Sequence, residues 1–125
     1  MTENELSKEI IGLAMKVHTT LGPGLLESAY KESLYFKIRQ RGVKVEKEKS
    51  LPLVLEEIRL ECGYRIDLIV EEKVVIEVKS VDAFNDIHLA QLLTYLRLSR
   101  CKLGLLINFN VLHLKDGIRR VGNNL

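Results

Sequence analysis

Asp67, Glu77 and Lys79 are the residues of this chain whose types and spacing can do chemistry together. Two acids with nine residues between them, the second followed two positions on by a lysine, offer oxygen ligands for a hard cation with an ammonium beside them. They lie in the stretch Gly63 to Ser80, where two β-branched runs, Arg65 to Val70 and Val74 to Lys79, flank Glu71-Glu72-Lys73. A three-residue loop suits a hairpin, and it would set Asp67 directly opposite Glu77 with Lys79 on the same face. Period-two alternation then puts Ile66, Leu68, Val70, Val74, Ile76 and Val78 on one wholly apolar face. The other face, Arg65, Asp67, Ile69, Val75, Glu77 and Lys79, is apolar near the turn and charged at its far end.

Two readings of that charged end stand side by side. Charges on the open side of an antiparallel hairpin are commonly just solvated. Two carboxylates placed opposite one another, however, repel unless a cation or a proton sits between them. Mg²⁺ prefers oxygen ligands and typically takes one or two carboxylates plus water and substrate phosphate, so a metal would turn the liability into a site.

Asp67, nine intervening residues, then Glu77-Val78-Lys79 resembles the PD-(D/E)XK nuclease signature, with Ile66 where the motif name has proline. Gly24-Leu25-Leu26-Glu27-Ser28-Ala29-Tyr30 is similar to the signature of the GxxExxY proteins, a small prokaryotic group that resembles that superfamily. Gln91-Leu92-Leu93-Thr94-Tyr95 is similar to the QxxxY element that follows the catalytic lysine in some branches. The three elements run from Gly24 to Tyr95, and the resemblance extends to about Arg120, most of the chain.

The resemblance implies a restriction-endonuclease-like α/β fold, a mixed sheet flanked by helices, and metal-dependent hydrolysis of phosphodiester bonds in nucleic acid, DNA being the expected substrate. The catalytic set it implies is Glu27, Asp67, Glu77, Lys79, Gln91 and Tyr95. Asp67 and Glu77 would hold one or two Mg²⁺ (or Mn²⁺) ions, with the carbonyl of Val78 a further ligand and Glu27 acting directly or through water. Lys79 would orient a water or stabilise developing negative charge. Gln91 would bind a phosphate or a metal-bound water, Tyr95 would contact backbone, and Tyr30 would be a hydrogen-bonding or packing neighbour of Glu27.

Each role has a plainer counterpart. Glu27 in a first helical turn is favoured by the helix dipole without any ligand. His88, Gln91 and Tyr95 also fit a polar helix face with a half-buried tyrosine, and His88 has no motif support. The rival to the enzyme is a catalytically inactive nucleic-acid-binding or protein-interaction module on the same fold.

Composition sets the outer bounds. The 125 residues make one domain, 1–125, with an ordinary apolar share of 46% and 29% charged residues, which excludes a disordered chain. The core must be largely aliphatic, since there is no tryptophan. A net charge of +2 does not announce a nucleic-acid partner, so any basic surface must come from local clustering. Cys62 and Cys101 form no CxxC pair and follow no signal peptide, and are expected as reduced packing residues in a cytoplasmic protein. No apolar run reaches the roughly 18 residues that span a bilayer, so no membrane partner is expected. A homodimer stands among the expected assemblies.

In chain order, Thr2 or Asn4 caps a first helix whose apolar stripe is Leu6, Ile10, Leu13, Ala14, Val17 and Leu21, ended by Gly22-Pro23-Gly24. His18 near its end is better explained by the helix dipole than by chemistry. A second helix is expected over Leu25 to Arg41, burying Leu26, Ala29, Leu34 and Ile38. The basic run Lys37, Arg39, Arg41, Lys44, Lys47 and Lys49 is either a solvated face or a phosphate-neutralising cleft mouth. Leu51 to Leu55 and Ile58 to Leu60 bracket Glu56-Glu57 as a hairpin, with Pro52 at an edge or bulge. After the central hairpin comes a helix over about Asn85 to Leu98 with Ile87, Leu89, Leu92, Leu93 and Leu96 as its core stripe. Lys102 to Phe109 has the continuous apolar character of a strand buried on both faces, joined to the hairpin by a right-handed parallel crossover. Val111 to Leu114 and Ile118 to Val121 are expected to close the chain as a hairpin around Asp116-Gly117.

Overall fold

Thr2 begins the first helix reciprocally with Glu5. Its hydroxyl accepts the Glu5 N–H at 3.1 Å, and the Glu5 carboxylate accepts the Thr2 N–H at 3.0 Å. In the computed structural model, which describes all 125 residues, this helix is α1 (Glu3–Leu21). Gly22 closes it with φ +70 and an N–H to the His18 carbonyl, a conformation that glycine adopts without a Cβ penalty. The next helix, α2 (Glu27–Gln40), starts two residues later than periodicity predicts. Leu26 stays extended as its cap and is 77% exposed, so it does not join Leu34 and Ile38 in the core.

The central sheet has five strands in the order β1 (Val45–Ser50), β4 (Arg65–Val70), β5 (Val74–Lys79), β6 (Leu103–Asn108), β7 (Ile118–Gly122). Only β5 and β6 run parallel, joined by the expected crossover through α3 (Asp86–Ser99); every other pairing is antiparallel. A separate two-stranded hairpin, β2 (Leu53–Leu55) and β3 (Ile58–Leu60), turns at Glu56 and Glu57, both at positive φ.

Sheet burial makes two cores, one on each face. Leu68, Val70, Val74, Ile76 and Val78 pack with Leu6, Ile10, Ala14, Leu34 and Ile38 of α1 and α2. On the other face Ile69, Val75 and Leu106 pack with Leu92, Tyr95 and Leu96 of α3. Contact there is close enough that a Cβ on Gly104 would lie 2.8 Å from Leu92 Cδ1. The chain thus has the α/β architecture of a mixed sheet flanked by helices, with β6 buried along its whole length.

Several expectations give way. Val111 to Leu114 forms no strand; β7 pairs with β6 instead, and a 3-10 turn (Leu114–Gly117) bridges them. Packing fixes that turn, since a Cβ on Gly117 would fall 2.2 Å from the Asn108 carbonyl oxygen. Ile87 is 73% exposed, and Tyr95 takes a place in the α3 core stripe. Ile66 is buried, but in the α3-side core with Leu51 rather than with Leu68, because the strand is distorted at Asp67. Cys101 packs as expected, whereas Cys62 is exposed. His18 is held at 2.7 Å from the Val111 carbonyl oxygen, a tertiary tie that the dipole argument did not anticipate.

Candidate active site at the end of the central hairpin

Leu68 faces Ile76 and Val70 faces Val74, the register that the three-residue loop predicts. The ladder stops there. Asp67 pairs in register with neither Glu77 on one side nor Glu48 of β1 on the other, and Glu48 takes a positive φ of 53°. Side chains take over from the missing backbone pairs. Glu77 Oε2 accepts the N–H of Asp67 at 2.9 Å, and Asp67 Oδ2 accepts the N–H of Val78 at 2.8 Å. Each carboxylate thereby satisfies a backbone donor and keeps its second oxygen, Asp67 Oδ1 and Glu77 Oε1, without a protein hydrogen bond.

Val78 turns its backbone to the same place. In the parallel ladder the N–H of Phe109 bonds to the Lys79 carbonyl, so alternation directs Val78 away from β6 and toward β4, as its bond to Asp67 requires. A residue's N–H and C=O share one edge of a strand, so the Val78 carbonyl lies on the β4 side of β5, as its N–H does.

Burial sets the electrostatics. Glu77 is 5% exposed, and desolvation, with the Asp67 charge adding to it, pushes its carboxyl up to about 8. Asp67 is raised as well, chiefly by burial, against the pull of the Val78 N–H, Lys31 and Lys79. Near neutral pH Glu77 therefore carries a proton, which removes its repulsion with Asp67. Lys79 is half-buried beside them and acts on both by charge alone, with no ion pair of its own.

The remaining candidates sit around this pair at different ranges. Glu27 is exposed at the α2 N-terminus, close enough to add to the field on Glu77. A bond from Ser80 Oγ to the Leu25 carbonyl, at 2.7 Å, ties its loop to the end of β5. No group of three His, Cys, Asp or Glu side chains is assembled that could hold a metal, so Glu27 does not join Asp67 and Glu77 as a ready ligand. Tyr30 does not bond to Glu27: its hydroxyl donates to the Gly22 carbonyl and accepts from the Leu25 N–H, while its ring stacks on Phe109 at 4.6 Å. Tyr95 is buried against the α3 side of the sheet, its phenol raised by burial and then by Glu77, Tyr64 and Asp67. Gln91, one turn earlier, is half-buried. His88 caps α3, its Nδ1 accepting the Asn85 N–H.

The basic run is largely spent on acids: Lys44 on Glu46 and Glu72, Lys47 on Glu32, Lys49 on Glu46, and Arg41 on Glu9. Besides Lys79, the cation that reaches the site is Lys31, outside that run, bonded to Glu48 at 3.0 Å and acting on Asp67. Its sequence signal was the i, i+4 spacing from Glu27, which places both on one face of α2. Asn108 was also missed: its amide clamps Val81 in both directions, fixing the chain just beyond Lys79. A buried asparagine at the end of an apolar strand was the signal.

The donor set fits a hard divalent cation. It consists of oxygen atoms only, two carboxylates with a strand carbonyl on the same edge, and a cation would offset the burial that raises both acids and the Asp67 charge that adds to it at Glu77. It leaves coordination positions to water and phosphate, as Mg²⁺ prefers.

A family model described as the PD-(D/E)XK nuclease superfamily matches residues 4–121. Neither the search of curated proteins nor that of solved structures returned a match. No helix is long and apolar enough to cross a membrane.

Proposed function

The chain belongs to the PD-(D/E)XK nuclease superfamily, and from that premise we propose that it hydrolyses phosphodiester bonds of nucleic acid, DNA in the first place, with Mg²⁺ or Mn²⁺ held by Asp67, Glu77 and the Val78 carbonyl. Within the superfamily, Gly24, Glu27 and Tyr30 support placing it with the GxxExxY proteins. The observation that carries the proposal is the carboxylate pair, Glu77 buried and Asp67 half-buried, each acid with one oxygen unused, at a break in the ladder beside Lys79.

When bound, the cation supplies Lewis acidity and a more acidic water. Asp67 and Glu77 hold their oxygens in place through the N–H groups of Val78 and Asp67, so little reorganisation is needed to ligate. Glu77 would hold the cation in its ionised form, its proton passing to solvent, because a nearby cation favours the ionised acid. Lys79 places a positive charge where the phosphoryl oxygens gain negative charge, and its mobile stem lets it follow the phosphate. Glu27 adds a carboxylate at the mouth, reached through water. No side chain here is needed as a covalent nucleophile.

The test is cleavage of labelled single-stranded DNA, duplex DNA and RNA in Mg²⁺, in Mn²⁺ and in chelator, with Asp67→Asn as control. Metal-dependent cleavage that the substitution abolishes is the expected result. Tight nucleic-acid binding without cleavage under every metal condition would favour the binding-module reading instead.

A further inference from the structure

Beside the carboxylate pair lies an open cavity of about 290 Å³ lined by Leu53, Tyr64, Gln91, Thr94, Tyr95 and Leu98. Its lining contains no Lys, Arg, His, Asp or Glu, so a phosphate or a charged peptide side chain would find no counter-charge there. The rings of Tyr64 and Tyr95 meet at 65° with centroids 6.4 Å apart, making an aromatic corner instead of a closed stack. Tyr64 remains 45% exposed, and its backbone is pinned by the Leu51 N–H, which bonds to the Tyr64 carbonyl at 2.8 Å. The Gln91 amide and Thr94 hydroxyl have no protein hydrogen-bond partner and present donors and acceptors over apolar walls from Leu53 and Leu98.

Flat apolar walls, an aromatic corner and uncharged hydrogen-bonding groups match a nucleobase, whose faces stack and whose edges donate and accept. The cavity neighbours the site through Tyr95, which lines it and lies within the field of Glu77 and Asp67, and through Tyr64, three residues before Asp67 in the chain. We propose that this cavity binds one unpaired nucleobase of the strand whose phosphate lies at Asp67 and Glu77, making the substrate a single strand or a splayed end rather than a continuous duplex. Bases inside a duplex are stacked and cannot enter such a corner without being extruded. The proposal rests on the nuclease reading for the phosphate, but the pocket itself can be tested without hydrolysis.

The probe is a short single-stranded DNA carrying 2-aminopurine at one internal position, titrated with the full chain in chelator while fluorescence and anisotropy are followed. Stacking on tyrosine should quench the base. The matched blunt duplex should show no added quenching and bind at least about tenfold more weakly. Tyr64→Ala, at an exposed ring, should lose the quenching and weaken single-strand binding about tenfold, or about 1.4 kcal/mol. Tyr64→Phe should restore both, and an abasic site in place of the probe should mimic Tyr64→Ala. Thr94→Leu, which replaces a lining hydroxyl with aliphatic bulk and adds no aromatic ring, gives a second way to block the cavity without touching Tyr64.

Quenching that survives both Tyr64→Ala and Thr94→Leu would overturn the proposal, as would equal affinity for single strand and duplex. Cleavage of duplex in Mg²⁺ without any base quenching would leave the nuclease reading standing and remove this one. Tyr64-dependent quenching without cleavage in any metal would support the base site and remove the chemistry.

Discussion

Glu77 accepts the backbone N–H of Asp67 at 2.9 Å, while the Asp67 charge helps burial to push the Glu77 carboxyl up to about 8. The same residue thus anchors Glu77 through its backbone and opposes its ionisation through its side chain. Linkage gives the consequence its sign. A carboxyl whose folded pKa lies above its unfolded value binds more protons when folded, so stability falls as pH rises from the unfolded value of about 4.5 to about 8. Glu77→Gln keeps an oxygen for the Asp67 N–H and cannot ionise. In chelator it should melt higher than the parent at pH 8 to 9, with the gap closing near pH 4, as followed by thermal unfolding across pH.

Cation binding should carry the mirror image of that dependence. Loading requires Glu77 ionised, so Mg²⁺ affinity should rise with pH and level off above about 8, with release of close to one proton per ion near pH 7. Calorimetry in buffers of different ionisation enthalpy counts that proton. A pH-independent affinity would mean that Glu77 is not a ligand.

Lys79 separates binding from chemistry. It cannot ligate a cation while protonated, so Lys79→Ala should keep Mg²⁺ affinity within a few fold and lower kcat about 10² to 10³-fold. Asp67→Asn should lose both. Equal loss of cation affinity in the two variants, measured by titration, would contradict these separate roles.

The central hairpin was legible because its pattern is local. Alternation over Leu68 to Val70 and Val74 to Ile76 and a loop of fixed length determine the register without help from the rest of the chain. What lay beyond reading was where the pattern stops: the break at Asp67 comes from side chains competing with the ladder, and with it Ile66 moves to the other core. Lys31 and Asn108 were passed over for a related reason, their sequence signals being weak. Their importance arises from a contact across the fold, to Glu48 and to Val81, and no periodicity marks it. The basic run failed in the opposite direction, since abundance of charge says nothing about partners, and Glu32, Glu46, Glu72 and Glu9 were there to take them.

Tyr30 illustrates how a motif residue serves a site by shaping it. Its hydroxyl bridges Gly22 and Leu25, and Leu25 in turn accepts Ser80 Oγ at the end of β5. Tyr30→Phe strands two backbone groups and should cost about 1 to 3 kcal/mol. Activity measured well below the melting temperature should fall only to the extent that the Glu27 loop loosens, which limited proteolysis at Gly22 to Leu26 would register. A large loss of activity in a variant of unchanged stability would instead place the hydroxyl in the chemistry.

Lys31 offers the last prediction because it pulls in two directions. Its ammonium bonds to Glu48 and draws Asp67 toward the ionised form, so in the cation-free protein it partly substitutes for a metal. A bound divalent cation must share Asp67 with that charge, and two positive groups near one carboxylate repel. Lys31→Met keeps most of the stem while removing the charge, and it should tighten Mg²⁺ binding by about two- to fivefold. The same change removes a cation from the approach to the scissile phosphate, so nucleic-acid affinity should fall and its salt dependence should become shallower. A variant that weakens both ligands together would show that Lys31 acts by holding Glu48 and the distorted end of β1 in place. Restoring the pair in reversed order, Lys31→Glu with Glu48→Lys, distinguishes the two: a positional role should be rescued, whereas the charge effect on Asp67 should not.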